Sequence, residues 1–141
     1  VAAADKAAEL VGLGADRVIA RGASLRQALG GDGIDVVIDL VGGPQWPALL
    51  DILKPGGRYA VAGAIAGPIV ELDLRKLYLK DLTFFGCTTQ DDAVFASLIG
   101  YAERGEIRPR VARIYPLGAI VEAQRDFIAK KHVGKLVLLP P

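Results

Sequence analysis

Short runs of apolar and β-branched residues alternate along the chain with segments of helical composition. The runs are bounded by Gly, Asp or Pro, as strands usually are. Gly or Pro follows most of the helical segments, which is typical of helix ends. This regular alternation indicates an α/β fold with a parallel sheet. Strands are predicted at residues 18–20, 34–41, 58–62 and 82–86, and helices at 6–13, 44–53, 74–79 and 93–104.

The run IDVVIDLV at residues 34–41 is nearly continuous in apolar character. A strand with one wet face alternates apolar and polar residues, whereas a strand covered on both faces does not. We therefore expect a central strand here, with helices on both faces of the sheet. After Gly105 the residue pattern changes, and it predicts a strand at 111–115, a helix at 117–130 and a strand at 135–139.

Composition narrows the range of partners and ligands. The chain has 141 residues, 52% hydrophobic and 23% charged, and its net charge of +1 gives no reason to expect nucleic acid or an anionic membrane. No apolar run approaches the roughly 18 residues of a membrane span. One Cys and one His cannot supply the roughly three protein ligands of a zinc site, and no disulfide can form within the chain. We expect a cytoplasmic protein that holds no metal through Cys and His alone.

Glycine-rich turns follow three of the predicted strands, at residues 41–43, 63–67 and 86–88. In doubly wound sheets ligands bind beyond the carboxyl ends of the strands, and glycine lets a ligand approach the backbone closely. Glycine also forms ordinary tight turns, so each turn taken alone has a purely structural interpretation. Three such turns in one sheet favour a binding crevice. The sequence contains neither GxGxxG nor a P-loop, so these residues do not include a phosphate-binding turn.

Single side chains leave several interpretations open. We expect Asp39 to accept hydrogen bonds from turn amides rather than to contact a ribose or a metal, because buried carboxylates need such partners. Cys87 has no neighbouring His to activate it and is interpreted as a small apolar filler. His132 lies in a basic segment that either meets a phosphate or is a solvated helix end. Lys6 and Arg21 either reach an adenosine 2′-phosphate or are solvated.

Ordered sequence motifs carry a resemblance that covers essentially the whole chain. They are KAAELVGLGAD at 6–16, DVVIDLVGG at 35–43, LKPGGRY at 53–59, LTFFG at 82–86, GEIRP at 105–109, YPL at 115–117 and GKLVL at 134–138. In this order the motifs resemble the coenzyme-binding half of the medium-chain dehydrogenase/reductase superfamily. Zinc-type alcohol dehydrogenases and quinone oxidoreductases belong to that superfamily.

The resemblance implies a partial Rossmann-like, doubly wound parallel sheet that lacks its first strand and glycine-rich turn. Residues 1–107 would form a truncated NAD(P)-binding domain, and residues 108–141 a tail that returns to a catalytic domain absent from this sequence. The parent would be an oxidoreductase acting on a carbonyl, alcohol, quinone or enone. The family's catalytic residues and zinc ligands lie mainly in the absent part, so no catalytic or metal-binding residue is assigned. We expect the chain alone to be inactive, and the resemblance leaves the parent's zinc requirement undecided.

The resemblance also implies cofactor contacts. Ala2 and Ala3 would lie at the adenosine ribose, and the absence of an acidic residue there favours NADP over NAD. Lys6 matches a lysine that faces the 2′-phosphate in quinone-reductase-like members, with Arg21 at an adjacent position. The ribose, the nicotinamide and its carboxamide would lie against three groups: Val41, Gly42 and Gly43; Gly63, Ala64 and Ile65; Phe85, Gly86 and Cys87.

The resemblance further implies a homodimer in which the strand at 82–86 pairs with its copy. The uncharged run LTFF independently predicts an edge that a monomer should avoid. In the tail, an apolar face is expected to be partly uncovered or covered by another chain; it contains Leu117, Ile120, Phe127 and Ile128.

Two other functions stay open. Residues 35–41 followed by LKPGG also resemble the later strands of methyltransferases, and the chain could be a dimerising remnant without catalysis.

Overall fold

Three parallel strands organise the first of two units in the computed structural model, which describes residues 1–141. The units are Val1–Thr89 and Gln90–Pro141. The boundary that the resemblance puts at residue 107 concerns the domains of the superfamily and stays a prediction. The first unit contains, in chain order, α1 (Ala7–Gly12), α2 (Leu25–Ala28), β1 (Ile34–Asp39), α3 (Trp46–Ile52), β2 (Leu53–Val61), α4 (Leu74–Tyr78) and β3 (Thr83–Gly86).

The sheet of this unit has the order β1-β2-β3, and both strand pairs are parallel. Helix α3 connects β1 to β2, and α4 lies between β2 and β3. Asp39 is opposite Val61 in one pair, and Val61 is opposite Gly86 in the other. The three strands therefore end level with one another. The prediction of an α/β fold with a parallel sheet is confirmed.

The prediction of a central strand at residues 34–41 is wrong. Strand β1 lies at an edge of the sheet, and Ile38 on its outward face is 72% exposed. The predicted strand at 18–20 is reduced to one isolated parallel bridge between Ala20 and Ala2. Because these two residues pair with each other and not with β1, no strand flanks β1 on that side. A continuous apolar run indicates that both faces avoid water, but it does not say what covers them.

The core of the first unit lies between the sheet and α3. Its buried members are Val37, Leu50, Leu53, Tyr59 and Leu82. Trp46, at the start of α3, packs edge-on against Tyr59, with ring centroids 4.8 Å apart and planes at 81°. Phe84 of β3 completes the aromatic cluster, 5.5 Å from Trp46. Offset and edge-to-face arrangements of this kind are the favourable ones for aromatic rings.

Strand β2 begins where α3 ends, at Leu53, which is five residues earlier than the start predicted at 58. Leu53 is opposite Ile34 and Arg58 is opposite Val36, so residues 54–57 form an irregular insertion in the strand. The Lys80 Nζ donates to the carbonyls of Leu50, Asp51 and Leu53 at 3.1, 2.9 and 2.9 Å. The last carbonyls of a helix have no partner within the helix, so this ammonium group stabilises the change from α3 to β2.

The second unit contains α5 (Asp92–Glu103), β4 (Val111–Pro116), α6 (Ile120–Ala129) and β5 (Lys135–Leu139), with β4 and β5 parallel. These elements confirm the strand, helix and strand predicted after Gly105. Tyr115 and Ala123 are buried, whereas Phe127 and Ile128 are exposed, so the predicted apolar face of the tail is partly uncovered. Helix α5 is the longest at 12 residues, and none of the helices has the length and hydropathy of a membrane span.

Candidate functional site

The carboxyl ends of β1, β2 and β3 meet at one edge of the sheet. Beyond the last paired residues, the amide of Ala62 donates to the carbonyl of Asp39 at 2.9 Å, and the amide of Cys87 donates to the carbonyl of Val61 at 2.8 Å. The backbone therefore stays in register up to the turns that follow the strands. This brings together three of the predicted groups of site residues: Val41, Gly42 and Gly43; Gly63, Ala64 and Ile65; Phe85, Gly86 and Cys87.

The turns after β1 and β2 pack backbone against backbone. The amide of Ala66 donates to the carbonyl of Val41 at 2.9 Å. A Cβ on Gly43 would lie 2.6 Å from the Ala66 carbonyl oxygen, and a Cβ on Gly63 would lie 2.6 Å from the Leu40 carbonyl oxygen. Gly43 also has a φ of 72°, which side chains rarely adopt. These glycines are therefore required by the contact between the two turns, whatever binds beside them.

Apolar side chains remain exposed around the two turns. Ile65 is 88% exposed, and Val41 and Phe85 are each about half exposed. A cavity of about 350 Å³ opens beside Gly43 and Gly67, with Trp46 and Ile69 in its wall. Apolar walls with backbone polar groups at hand are typical of sites for flat organic ligands. The contact of this edge with the nicotinamide half of a dinucleotide stays a prediction.

A buried carboxylate holds the first turn. Asp39 is 5% exposed, and its Oδ1 accepts hydrogen bonds from the amides of Val41 at 2.8 Å and Gly42 at 3.0 Å. Its Oδ2 accepts from the hydroxyl of Tyr59 at 2.5 Å. Burial raises the pKa of Asp39, but the hydrogen bonds from Tyr59, Gly42 and Val41 outweigh it, so the pKa lies below its usual value. The expectation that Asp39 bonds to turn amides is confirmed.

Sequence reasoning missed Tyr59. Its hydroxyl is buried with the rest of the side chain, and burial together with the Asp39 carboxylate raises its pKa. A signal was present, because a tyrosine in a buried strand needs a hydrogen-bond partner. Tyr59 is opposite Val37, and Asp39 lies two residues further along β1 on the same face, within reach of the Tyr59 hydroxyl. The register between β1 and β2, however, cannot be obtained from either strand alone.

The remaining predicted residues form a second group near the start of the chain. The amide of Ala2 donates to the carbonyl of Ile19 at 3.0 Å, and the amide of Arg21 donates to the carbonyl of Ala2 at 3.1 Å. The Lys6 amide donates to the Ala3 carbonyl at 3.1 Å, within a short 3₁₀ turn at Ala4–Lys6. Ala2, Ala3, Lys6 and Arg21 are thus brought together, although this bridge is not hydrogen-bonded to β1. Their contact with a cofactor stays a prediction.

The residues of the chain do not fit a metal site. No group of three or more His, Cys, Asp or Glu side chains is arranged to hold an ion. Cys87 belongs to the first unit and His132 to the second. A catalytic zinc ion needs about three protein ligands, so no chemical step is assigned to a metal here.

Comparison with known proteins identifies the family. The family described as "Zinc-binding dehydrogenase" matches residues 13–138. The chain therefore belongs to the zinc-binding dehydrogenases, within the medium-chain dehydrogenase/reductase superfamily. Its three-stranded sheet is part of the Rossmann-like coenzyme-binding domain of these enzymes, which are oxidoreductases of the alcohol dehydrogenase and quinone oxidoreductase type. This assignment favours the dehydrogenase interpretation over a methyltransferase.

Individual relatives agree with the assignment. Quinone oxidoreductase-like protein 2 of Bos taurus is 30% identical over 128 residues, covering 82% of this chain and 37% of that protein. A solved structure from Sinorhizobium meliloti 1021, named as a candidate alcohol dehydrogenase, is 49% identical with a TM-score of 0.87, covering 99% of this chain and 40% of that one. A solved NAD-dependent alcohol dehydrogenase is 27% identical with a TM-score of 0.80, covering 98% and 42%. The chain thus spans about two fifths of the length of these relatives.

Proposed function

We propose that this chain forms the coenzyme-binding part of an NAD(P)H-dependent oxidoreductase that acts on a carbonyl, alcohol, quinone or enone. The observation that carries the proposal is the edge where three parallel strands end level, two of them in glycine turns packed against each other. This edge lies within the residues that match the dehydrogenase family. Ligands of open α/β sheets bind at such edges.

Each part of the edge has a physical role in the proposal. The exposed side chains of Val41, Ile65 and Phe85 would pack against the nicotinamide and its ribose and exclude water from them. A bound nicotinamide supplies the hydride chemistry, and the protein holds it against the substrate. Backbone at Gly86 can approach the carboxamide, because a Cβ built there would meet nothing within 4 Å.

Thermal protection tests this function. NADPH at about a hundred times its dissociation constant would stabilise the folded chain by about 2.7 kcal/mol, a rise in Tm of roughly 8 °C for a chain of this size. S-adenosylmethionine should give no rise. A Tm that NADPH leaves unchanged, together with a stable dimer, would instead favour the dimerising remnant without catalysis. A rise with S-adenosylmethionine alone would favour the methyltransferase.

The proposal includes a preference for NADPH over NADH. It is supported by the absence of an acidic side chain at Ala2 and Ala3, by Lys6, which matches a lysine that faces the 2′-phosphate in quinone-reductase-like members, and by the exposed Arg21 next to Ala2. A phosphate contact is a charge-assisted hydrogen bond, so Arg21→Gln should weaken NADPH binding about ten-fold and leave NADH binding unchanged. Arg26→Gln, an exposed arginine on α2, is the matched control. Equal losses for both cofactors would contradict the 2′-phosphate contact.

Turnover by the isolated chain is not expected, because no catalytic residue is assigned to it. Purified residues 1–141 should bind NADPH without oxidising it in the presence of quinones or aldehydes. Oxidation above the rate without protein would contradict this part of the proposal.

We also place the protein in the cytoplasm, a location supported by its single cysteine and the resulting lack of an internal disulfide.

A homodimer through β3 is the last part of the proposal. Strand β3 lies at an edge of the sheet, and its Thr83 and Phe85 side chains are exposed and uncharged. Charged residues on an edge strand oppose pairing with another chain. Thr83→Lys should therefore shift the sedimentation of the protein from dimer to monomer, whereas Thr89→Lys, beyond the strand, should not. A monomer before any substitution would overturn this part.

A further inference from the structure

Asp39 is a buried charged residue for which the proposed function has no direct use. It ends β1, two residues before the glycine turn at 41–43. Its carboxylate accepts three hydrogen bonds and does not open onto the exposed edge. A carboxylate is costly to bury, so three well-placed donors at this point indicate that its acceptor oxygens have a structural role.

The two carboxylate oxygens face different parts of the molecule. One accepts from the turn amides of Val41 and Gly42, and the other accepts from the hydroxyl of Tyr59 on the neighbouring strand. The Tyr59 ring is 1% exposed and is held between Trp46 and Phe84, at 4.8 and 5.6 Å between ring centroids. The hydroxyl is therefore fixed in place, and Asp39 ties the turn to the rigid core.

The same chain of hydrogen bonds extends to the turn after β2. The carbonyl of Val41, whose amide bonds to Asp39, accepts a hydrogen bond from the amide of Ala66. Gly43 leaves no room for any atom between itself and the Ala66 carbonyl. Two backbones packed this closely have to move together. The hydrogen bond between Tyr59 and Asp39 is thus linked, through Val41, to the turn after β2 that contains the exposed Ile65.

We infer that Tyr59 and Asp39 act as a positioning pair, which holds both glycine turns in the arrangement that receives the nicotinamide half of the cofactor. The inference rests on the proposed function, because it assigns the turns to the nicotinamide. Neither residue touches the cofactor in this proposal. The adenosine half, placed at Ala2 and Arg21, should not depend on the pair.

The experiment separates the two halves of the cofactor. Titrations with NADPH and with adenosine 2′,5′-bisphosphate, which lacks the nicotinamide, are compared in the complete protein as its gene encodes it and in its Tyr59→Phe variant. Losing a hydrogen bond to a charged group should raise the Kd for NADPH about three- to ten-fold. The Kd for the bisphosphate should stay unchanged. Tyr78→Phe, an exposed tyrosine on α4, is the matched control and should change neither Kd.

A second variant keeps the test decisive where Tyr59→Phe fails to fold. Asp39→Asn retains an oxygen that can accept from Val41 and Gly42, so NADPH binding should weaken in the same direction but less. Faster hydrogen exchange of the Val41 and Gly42 amides should accompany the weaker binding in either variant. A general loosening of the fold would weaken both ligands alike.

The outcomes distinguish this inference from the proposed function. An unsubstituted protein that does not bind NADPH overturns the proposed function and the positioning role with it. An unsubstituted protein that binds NADPH overturns only the positioning role when the variants bind it equally well. The positioning role alone is also overturned when the variants bind NADPH and the bisphosphate more weakly by the same factor.

Discussion

Each unit contains a tyrosine that donates to an aspartate, and the two pairs differ in their surroundings. Tyr59 and Asp39 are both buried and connect β2 to the turn after β1. Tyr115 is buried in β4, but the side chain of its acceptor Asp126 is 42% exposed and also binds Arg113 at 2.8 Å. Water can replace a partner of Asp126 but not one of Asp39. The same chemical pair therefore fixes a turn in the first unit and attaches a surface helix in the second.

The ionisation of the two pairs follows from their contacts. Burial raises the pKa of Asp39, and its three hydrogen bonds lower it further than burial raises it. The hydrogen bond from Tyr115 lowers the pKa of Asp126, and the nearby Arg113 guanidinium lowers it further. The pKa of each tyrosine is raised, by burial and Asp39 for Tyr59 and first by the bond to Asp126 for Tyr115. At neutral pH both hydroxyls donate and both carboxylates accept.

The largest effect is expected from filling the space between the two glycine turns. Gly43→Ala should destabilise the first unit by about 3 kcal/mol or more, because the new Cβ meets a backbone oxygen and the positive φ is strained. Gly12→Ala, with nothing within 4 Å of its Cβ, is the control and should be neutral or slightly stabilising. Urea unfolding followed by the fluorescence of Trp46, the single tryptophan, reports on this unit. Similar midpoints for the two variants would contradict the packing of the turns.

Removing one hydroxyl from each pair compares them directly. Tyr59→Phe should cost about 2 kcal/mol of the free energy of unfolding, because it leaves a buried charged oxygen without a donor. Tyr115→Phe should cost less, because Asp126 keeps Arg113 and water as partners. Circular dichroism during urea unfolding measures both losses. An equal or larger loss for Tyr115→Phe would show that burial does not separate the two pairs.

The sequence predicted what depends on local pattern and missed what depends on register. Parallel strands and their level ends follow from apolar runs and glycine turns, so the group at Val41–Gly43 and its neighbours could be located without a structure. The pairing of Tyr59 with Val37, two residues before Asp39, depends on the insertion at 54–57, which shifts the register between the strands. The residue pattern of either strand alone does not indicate that shift in register.

Apolar character at residues 34–41 led to the wrong position for β1 for a related reason. Val37 is buried and Ile38 is exposed, yet both are equally apolar. Hydropathy states a preference for being covered and cannot distinguish a neighbouring layer from an uncovered face. The helix α2 was missed because it has only four residues, although Ser24 caps it by accepting from the amide of Gln27 at 3.4 Å.

The contribution of the ionised Asp39 carboxylate to the free energy of unfolding should decrease in acid. Its folded pKa lies below the unfolded value, so its contribution to stability is present above the unfolded pKa and is lost as pH falls through the folded one. The stability difference between the unsubstituted protein and Asp39→Asn should therefore narrow between about pH 7 and about pH 3. Urea unfolding at both values measures it. A difference that stays constant would show that the carboxylate is not stabilised by its charge.

The smallest effect on stability is expected from the exposed ion pairs beside Tyr115 and Asp126. Arg113 binds Asp126 at 2.8 Å and Glu122 at 3.3 Å, both on α6, with all three side chains largely in water. Exposed ion pairs contribute little and are screened by salt. Arg113→Gln should accelerate hydrogen exchange of the α6 amides slightly, and about 1 M NaCl should abolish the difference, whereas the effect of Tyr115→Phe should persist. Arg125→Gln on the same helix is the control. An effect of Arg113→Gln that survives salt would mean that Asp126 is held as firmly as Asp39, and the contrast between the two pairs would fail.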